Sequence, residues 1–328
     1  MTEFILNCSM PLAIIFLAAG FFFLVKGADI FVEGSSSIAK KFHVPSIIIG
    51  LTIVAMGTSL PEAAVSVTAS LANQNTLAIS NVIGSNIFNL MVVIGMCAVL
   101  TPVAVQRETL KRDFPFSVAC AILLLIFGWI GPMELGHADG VIFLVLFALF
   151  IAYMIRSALK ANQEGKNAAE ETDEVDAMKI MSLPKSLLFI VIGAAGIILG
   201  GDVVVNSATN IATRLGMSET LVGLTIVSIG TSLPELVTSV VAARKHEVDM
   251  ALGNAIGSNI FNILMVLGIA GAISPMAFLT ENIIDIVVLL VFSLIVWVFS
   301  WTKQKLNKGE GAVMLLLYAA YMVYICVR

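Results

Sequence analysis

The sequence predicts an all-α polytopic membrane protein whose ten transmembrane helices form two inverted five-helix repeats. Three observations carry that prediction: an apolar composition, ten runs of membrane-spanning length, and a motif that occurs twice, GLTIVAMGTSLPE from Gly50 and GLTIVSIGTSLPE from Gly223.

Of 328 residues, 59% are hydrophobic and 12% charged, and the mean hydropathy is +1.01. A water-soluble globule of that composition would expose large apolar patches, so the chain belongs in a bilayer. Its apolar runs of roughly 18 to 25 residues match the length a helix needs to cross about 30 Å of hydrocarbon. The predicted spans are 10–38, 44–72, 76–100, 114–131, 138–159, 184–213, 219–243, 249–272, 282–301 and 311–327. The alternating segments of a membrane barrel do not occur, so helices must satisfy the backbone. The N-terminal MTEFILNC has no positively charged region and runs into a full span, which reads as mature chain rather than a signal peptide.

Cys8, Cys97, Cys120 and Cys326 show no C-x-x-C spacing and read as small buried hydrophobes. The net charge of -4 sits in loops, and no basic patch suggests nucleic acid. The partner expected is the lipid bilayer, with no obligatory protein partner.

Loops retained in the cytoplasm accumulate Lys and Arg. Lys40 and Lys41 follow the first span, Arg107, Lys111 and Arg112 the third, Arg156, Lys160, Lys166, Lys179 and Lys185 the fifth, Arg244 and Lys245 the seventh, and Lys303, Lys305 and Lys308 the ninth. The other loops hold only Arg214. Both termini are therefore expected outside. Residues 161–183 are polar and acidic, without aromatic side chains, and read as a solvated cytoplasmic linker. That linker lacks the D-x-[DN]-x-[DN]-G pattern of a calcium sensor.

The linker separates a first five-helix unit, 1–160, from a second, 184–328. A shift of 173 residues lays the first long motif on the second with 11 of 13 positions identical, and NVIGSNIFN (81–89) on NAIGSNIFN (254–262) with 8 of 9. An odd number of spans per unit inverts the second copy relative to the first. Inverted repeats with interrupted spans form a substrate site at the bilayer midplane, as in secondary transporters.

Glu62 and Glu235 are the costly residues, because a carboxylate at mid-membrane requires compensation from cations or protons. Pro61 and Pro234 lack an N–H and are expected to release the carbonyls of Gly57 and Gly230, whose glycines permit unusual backbone. Each motif adds the hydroxyls of Thr58 and Ser59, or Thr231 and Ser232. The companion segments add Ser85 and Asn89, or Ser258 and Asn262, and the i, i+4 spacing places each pair on one helical face. Asp29 and Asp202, matched by the same shift, suit either a helix bend or an ion access path. Glu33, Lys26 and Glu219 read as interfacial.

Every ligand offered is oxygen. Hard cations such as Ca²⁺ take six to eight oxygens, whereas zinc or copper would call for His or Cys. His43, His137 and His246 lie near span ends instead. Two glutamates can neutralise one Ca²⁺, and the same oxygens could host Na⁺ or protons. Small residues, Ser and Asn also glue helices together, but that role requires no carboxylate. A channel could use similar groups, though two matched broken helices suit alternating access better. A serine enzyme lacks a placed base and the G-x-S-x-G motif.

GTSLPE at 57–62 and 230–235, each followed by GSNIFN at 84–89 and 257–262, resembles the α-repeats of the cation/Ca²⁺ exchanger superfamily, particularly prokaryotic sodium/calcium exchangers. The resemblance implies a Ca²⁺/Na⁺ antiporter, not an enzyme, with no cofactor and with Ca²⁺ and Na⁺ as transported ions. It implies that Glu62 and Glu235 coordinate both ions and that Thr58 and Thr231 give backbone oxygens. Ser59, Ser232, Ser85 and Ser258 would give hydroxyls to Na⁺ sites, Ala55 and Ser228 backbone carbonyls, and Asn89 and Asn262 would flank the central site. It also implies a first and sixth helix that slide across the other eight. Some relatives, K⁺-dependent exchangers among them, carry Asp where this chain has Asn262, so K⁺ cotransport is not expected. Proton/Ca²⁺ exchangers of the superfamily typically show a GN-type sequence before the glutamate, which favours Na⁺ over H⁺ as counter-ion here. H⁺/Ca²⁺ exchange is the alternative.

Overall fold

The computed structural model describes residues 2–72, 75–129, 133–171, 180–217 and 228–327. The described residues are almost wholly helical. A short helix α1 (Thr2–Asn7) precedes the long α2 (Met10–Lys41). The second span is broken into α3 (Ser46–Thr58) and α4 (Leu60–Leu71), which meet at 49°. Next come α5 (Asn75–Phe88), a π turn over Asn89–Val93, and α6 (Ile94–Leu100). Helices α7 (Phe114–Trp129) and α8 (His137–Glu171) follow, then α9 (Leu183–Arg214). The chain continues through α10 (Ser228–Thr231), α11 (Leu233–Arg244), α12 (Val248–Phe261), a π turn over Asn262–Val266 and α13 (Leu267–Ile273). It ends with α14 (Thr280–Trp301) and α15 (Lys308–Val327).

Seven helices among the described residues are long and apolar enough to cross a membrane, and the bent pair α3–α4 makes an eighth. The span expected at 114–131 is α7, only 16 residues long. The span expected at 219–243 is described only as α10 and α11, because residues 218–227, Glu219 among them, lie outside the described residues. Helix α8 continues through Glu171, so the first part of the connector expected at 161–183 is helical. Ala, Glu and Lys favour that conformation even without a partner helix. Residues 172–179 of that connector lie outside the described residues.

The offset of 173 residues recurs in the element boundaries. It carries α2 onto α9, α4 onto α11, α5 onto α12, the first of these π turns onto the second, and α6 onto α13. The matched helices α2 and α9 pack against each other along their length. Gly20 faces Val203 and Val204, Gly27 faces Gly196 and Ile197, and Gly34 faces Ser186 and Ile190, so the two run antiparallel. A Cβ on Gly27 would sit 2.7 Å from the backbone nitrogen of Ile197. Small residues let the backbones approach this closely, as membrane helix pairs require.

The helix ends sort onto two faces. On one, the cation-bearing segments meet: strand β1 (Val103–Ala104) pairs with β4 (Lys305–Leu306), Lys245 Nζ lies 2.6 Å from Asp29, and Gln106 donates to Asp249 at 2.7 Å. On the other, β2 (Glu134–Leu135) pairs with β3 (Met276–Ala277), and Arg214 donates to the carbonyl of Cys8 at 2.7 Å. Helix α12 runs through the centre and is buried from Met250 to Phe261. Cys8, Cys97 and Cys120 are buried as expected, whereas Cys326 is exposed on α15.

Candidate functional site

Both motif breaks have the same local form. Ser59 (φ -85°, ψ 10°) separates α3 from α4, and Ser232 (φ -92°, ψ 5°) separates α10 from α11. Pro61 and Pro234 occupy the first turn of the helix that follows, where a missing N–H costs nothing. The glycines before them serve packing, not unusual backbone: Gly216 is the one glycine with positive φ among the described residues. A Cβ on Gly57 would lie 2.9 Å from the ring of Phe31 on α2, and one on Gly230 would collide with Val205 on α9. Each break thus sits directly against one of the two long antiparallel helices.

Glu62 and Glu235 lie in the first turns of α4 and α11, where the helix dipole favours negative charge. Both are completely buried, as are Thr58, Ser59, Ser232, Ser258, Asn89 and Asn262. Ser85 and Thr231 are buried as well. The hydrogen bonds cross between motifs. Ser59 donates to Glu235 Oε1 at 2.7 Å, and Ser232 donates to Glu62 Oε1 at 3.1 Å. Ser85 Oγ lies 3.0 Å from Ser232 Oγ, and Ser258 reaches Glu235 Oε1 at 3.5 Å. The two breaks and α5 and α12 therefore share one polar centre.

That centre is left with oxygens to spare. Glu62 Oε2, Glu235 Oε2, Asn89 Oδ1 and Asn262 Oδ1 are buried without a hydrogen-bond partner. They make up four of the seven such side-chain atoms among the described residues, and all four are acceptors. A buried acceptor without a donor is costly unless a cation or proton satisfies it. No cluster of three or more His, Cys, Asp or Glu occurs among the described residues, so any cation held here draws on hydroxyl, amide and carbonyl oxygens too. The three histidines stay at helix ends: His43 and His246 sit at positive-φ positions outside the helices, and His137 begins α8.

The remaining predicted residues fall around this centre or away from it. The carbonyl of Ala55 accepts from Ser59 N at 3.0 Å, and Ser228 opens α10. Asp29 pairs with Lys245, and Asp202 accepts from Asn206 at 3.0 Å, so neither joins the carboxylate pair. Reasoning from sequence missed Asn254, whose Oδ1 accepts from Thr58 at 3.0 Å while its Nδ2 donates to Ser239 at 2.9 Å. It also missed Asn86 and Asn259. All three stand inside the repeated NxIGSNIFN segment, and that repetition was the available signal.

A buried pair of carboxylates, flanked by neutral oxygens at two matched helix breaks inside a polytopic membrane protein, defines a carrier of cations. The family model described as sodium/calcium exchanger protein matches residues 12–156 and 185–327. This chain belongs to that family of cation/Ca²⁺ antiporters. It is 33% identical to the sodium/calcium exchanger MaX1 of Methanosarcina acetivorans over 337 residues, covering 94% of this chain and 96% of the relative. It is likewise 33% identical to the inner membrane protein YrbG of Escherichia coli over 321 residues, 96% of each chain. Among solved structures it resembles the sodium-calcium exchanger NCX_Mj soaked with 2.5 mM Na⁺ and 10 mM Sr²⁺, with a TM-score of 0.82 at 30% identity, covering 96% of this chain and 99% of that one.

Proposed function

We propose that this protein exchanges Ca²⁺ for Na⁺ by alternating access. The cations compete for one midplane site made by Glu62 and Glu235 with Thr58, Thr231, Ser59, Ser232, Ser85, Ser258, Asn89 and Asn262, and with the carbonyls of Ala55 and Ser228. The observation that carries this reading is the set of four buried, unpaired oxygens on Glu62, Glu235, Asn89 and Asn262. A divalent cation balances both carboxylates, and monovalent ions or protons can replace it at the same oxygens. Mutually exclusive occupancy is what couples the two fluxes.

The architecture that serves this exchange is ten spans in two inverted units, 1–160 and 184–328, joined by the cytoplasmic linker 161–183. The repeated boundaries, the antiparallel α2–α9 pair and a family match that falls in two segments support it. The cation-rich face is cytoplasmic and both termini are outside, in a prokaryotic inner membrane. Helices α2 and α9 are the moving pair, since Phe31 of α2 packs against Gly57 beside one break and Val205 of α9 against Gly230 beside the other.

Ca²⁺ flux into proteoliposomes under imposed Na⁺ or H⁺ gradients tests the proposal. Uptake driven by an outward Na⁺ gradient at equal pH is expected. Uptake that follows the pH gradient and ignores Na⁺ would make this an H⁺/Ca²⁺ exchanger, and flux driven by neither would remove the exchange reading.

A further inference from the structure

Four asparagines from the two GSNIFN segments form a hydrogen-bonded network where α5 crosses α12, with Asn86 and Asn259 paired reciprocally and Asn262 and Asn89 each bonded to one of them. Asn86 Nδ2 donates to the backbone carbonyl of Asn259 at 3.2 Å, and Asn259 Nδ2 returns a bond to the carbonyl of Asn86 at 3.1 Å. Asn262 Nδ2 donates to Asn86 Oδ1 at 3.1 Å, and Asn89 Nδ2 donates to Asn259 Oδ1 at 3.2 Å. All four side chains are buried.

An amide's oxygen and nitrogen ends are nearly the same shape, so hydrogen bonding decides which end faces where. Here the decision starts at the backbone. A carbonyl oxygen only accepts, so the ends of Asn86 and Asn259 that face it must be nitrogen. Their oxygens then point to the neighbouring amides and demand donors. Asn262 and Asn89 supply those donors, which turns each of their own oxygens toward the one position left, and there both oxygens have no partner.

We infer that Asn86 and Asn259 are positioning residues that hold the amides of Asn262 and Asn89 with oxygen, not nitrogen, presented to the transported cation. The inference rests on the exchange site proposed above. A flipped Asn262 would set its oxygen against the oxygen of Asn86 and offer two N–H groups to a cation. Both errors are repulsive, so the network selects one orientation before any ion arrives. Preorganised ligands of this kind raise affinity without a new contact to the ion.

Equilibrium ⁴⁵Ca²⁺ binding to the purified full chain, read as a double-mutant cycle, tests this. In the native background, Asn86→Leu is expected to weaken binding about tenfold, the cost of about one hydrogen bond's worth of orientation. In an Asn262→Asp background both ends of the side chain are oxygen, so no wrong orientation exists. There Asn86→Leu also removes an opposing acceptor, and it is expected to cause no loss or to improve binding. Equal fold losses in the two backgrounds would mean that Asn86 only packs, and would overturn the inference. The mirrored cycle, Asn259→Leu against Asn89→Asp, carries the same test if one variant binds no Ca²⁺ or misfolds. If neither leucine variant is monodisperse, the network is architectural and the inference falls. Glu62→Gln separates the two readings: if it binds Ca²⁺ like the native chain, the exchange site itself is wrong. If it loses binding while both cycles are additive, only the orienting role is wrong.

Discussion

Ser59 braces the carboxylate of Glu235, not that of its own motif: its hydroxyl donates to Oε1 at 2.7 Å across 176 positions of sequence. Ser232 does the same for Glu62 at 3.1 Å. Each carboxylate is therefore fixed by the opposite helix break and keeps a second oxygen unpaired. One oxygen holds the side chain in place and the other is buried without a donor, which is the position the proposed site gives to a cation.

Glu62→Gln and Glu235→Gln should each abolish Ca²⁺ transport, with flux below about a hundredth of native, while the protein stays inserted and monodisperse. The substitution removes charge and little volume, and an amide oxygen cannot replace a charged ligand of Ca²⁺. Proteoliposome flux with size-exclusion profiles checks this; near-native flux in either variant would refute the shared site.

Asn262→Asp adds a third acidic group to the centre and places it against Asn86 Oδ1, which now accepts a hydrogen bond at 3.1 Å. Ca²⁺ affinity should change several-fold and become more dependent on pH, because a carboxyl in that position must carry a proton to donate to Asn86. Superimposable Ca²⁺ titrations of the variant and native chain across pH would place Asn262 outside the site.

Ser59→Ala and Ser232→Ala should impair Na⁺-driven exchange more than Ca²⁺ binding. In the site proposed above, Na⁺ would rely on neutral hydroxyls and carbonyls, whereas Ca²⁺ would draw chiefly on the carboxylates. Loss of the hydroxyl also releases the opposite glutamate from its brace, so some loss of Ca²⁺ affinity, about two- to fivefold, is expected as well. Parallel measurements of Na⁺ dependence and ⁴⁵Ca²⁺ binding decide it: equal losses in both would argue against separate Na⁺ ligands.

Glu247, in the loop between α11 and α12, ties the end of α2 to the start of α3. It accepts from Ser36 at 2.5 Å and from Ser46 at 2.8 Å, and Lys40 lies 3.4 Å away. Burial alone would raise its pKa, but the hydrogen bonds of Ser36 and Ser46 and the charge of Lys40 outweigh it and hold the group below its ordinary 4.5. A depressed folded pKa stabilises above the unfolded value, and that contribution fades as pH falls through the folded one. Glu247→Gln should therefore lower the melting temperature by about 2–4 °C at neutral pH, with the gap to native closing as pH drops below about 4. A gap that stays unchanged as pH falls from 7 to about 3 would contradict the charge-based tie.

Much of this centre was legible because a carboxylate in an apolar run is expensive and its repetition at a fixed offset excludes accident. The long spans followed from composition, and the cation-bearing loops do gather on one face. What the sequence hid has physical reasons. The π turns at Asn89–Val93 and Asn262–Val266 change only which carbonyl a backbone N–H reaches, and no side chain advertises that. Gly57 and Gly230 read as backbone freedom because the partners that need the space, Phe31 and Val205, are distant in sequence. Asn86 and Asn259 looked like ordinary helix glue, since their task is to orient other amides. The tie of Glu247 joins residues about 200 positions apart, beyond any local pattern.

The crossed bonds of the two serines bear on ancestry. Neither copy of the motif holds a finished polar centre, so a single-copy ancestor could have built one only by docking against a second molecule of itself. Fusing the copies replaces that encounter with an intramolecular one and removes its dependence on concentration. It also binds their later histories together: a serine lost from one copy strips a donor from the other copy's glutamate, and drift in either is felt by both.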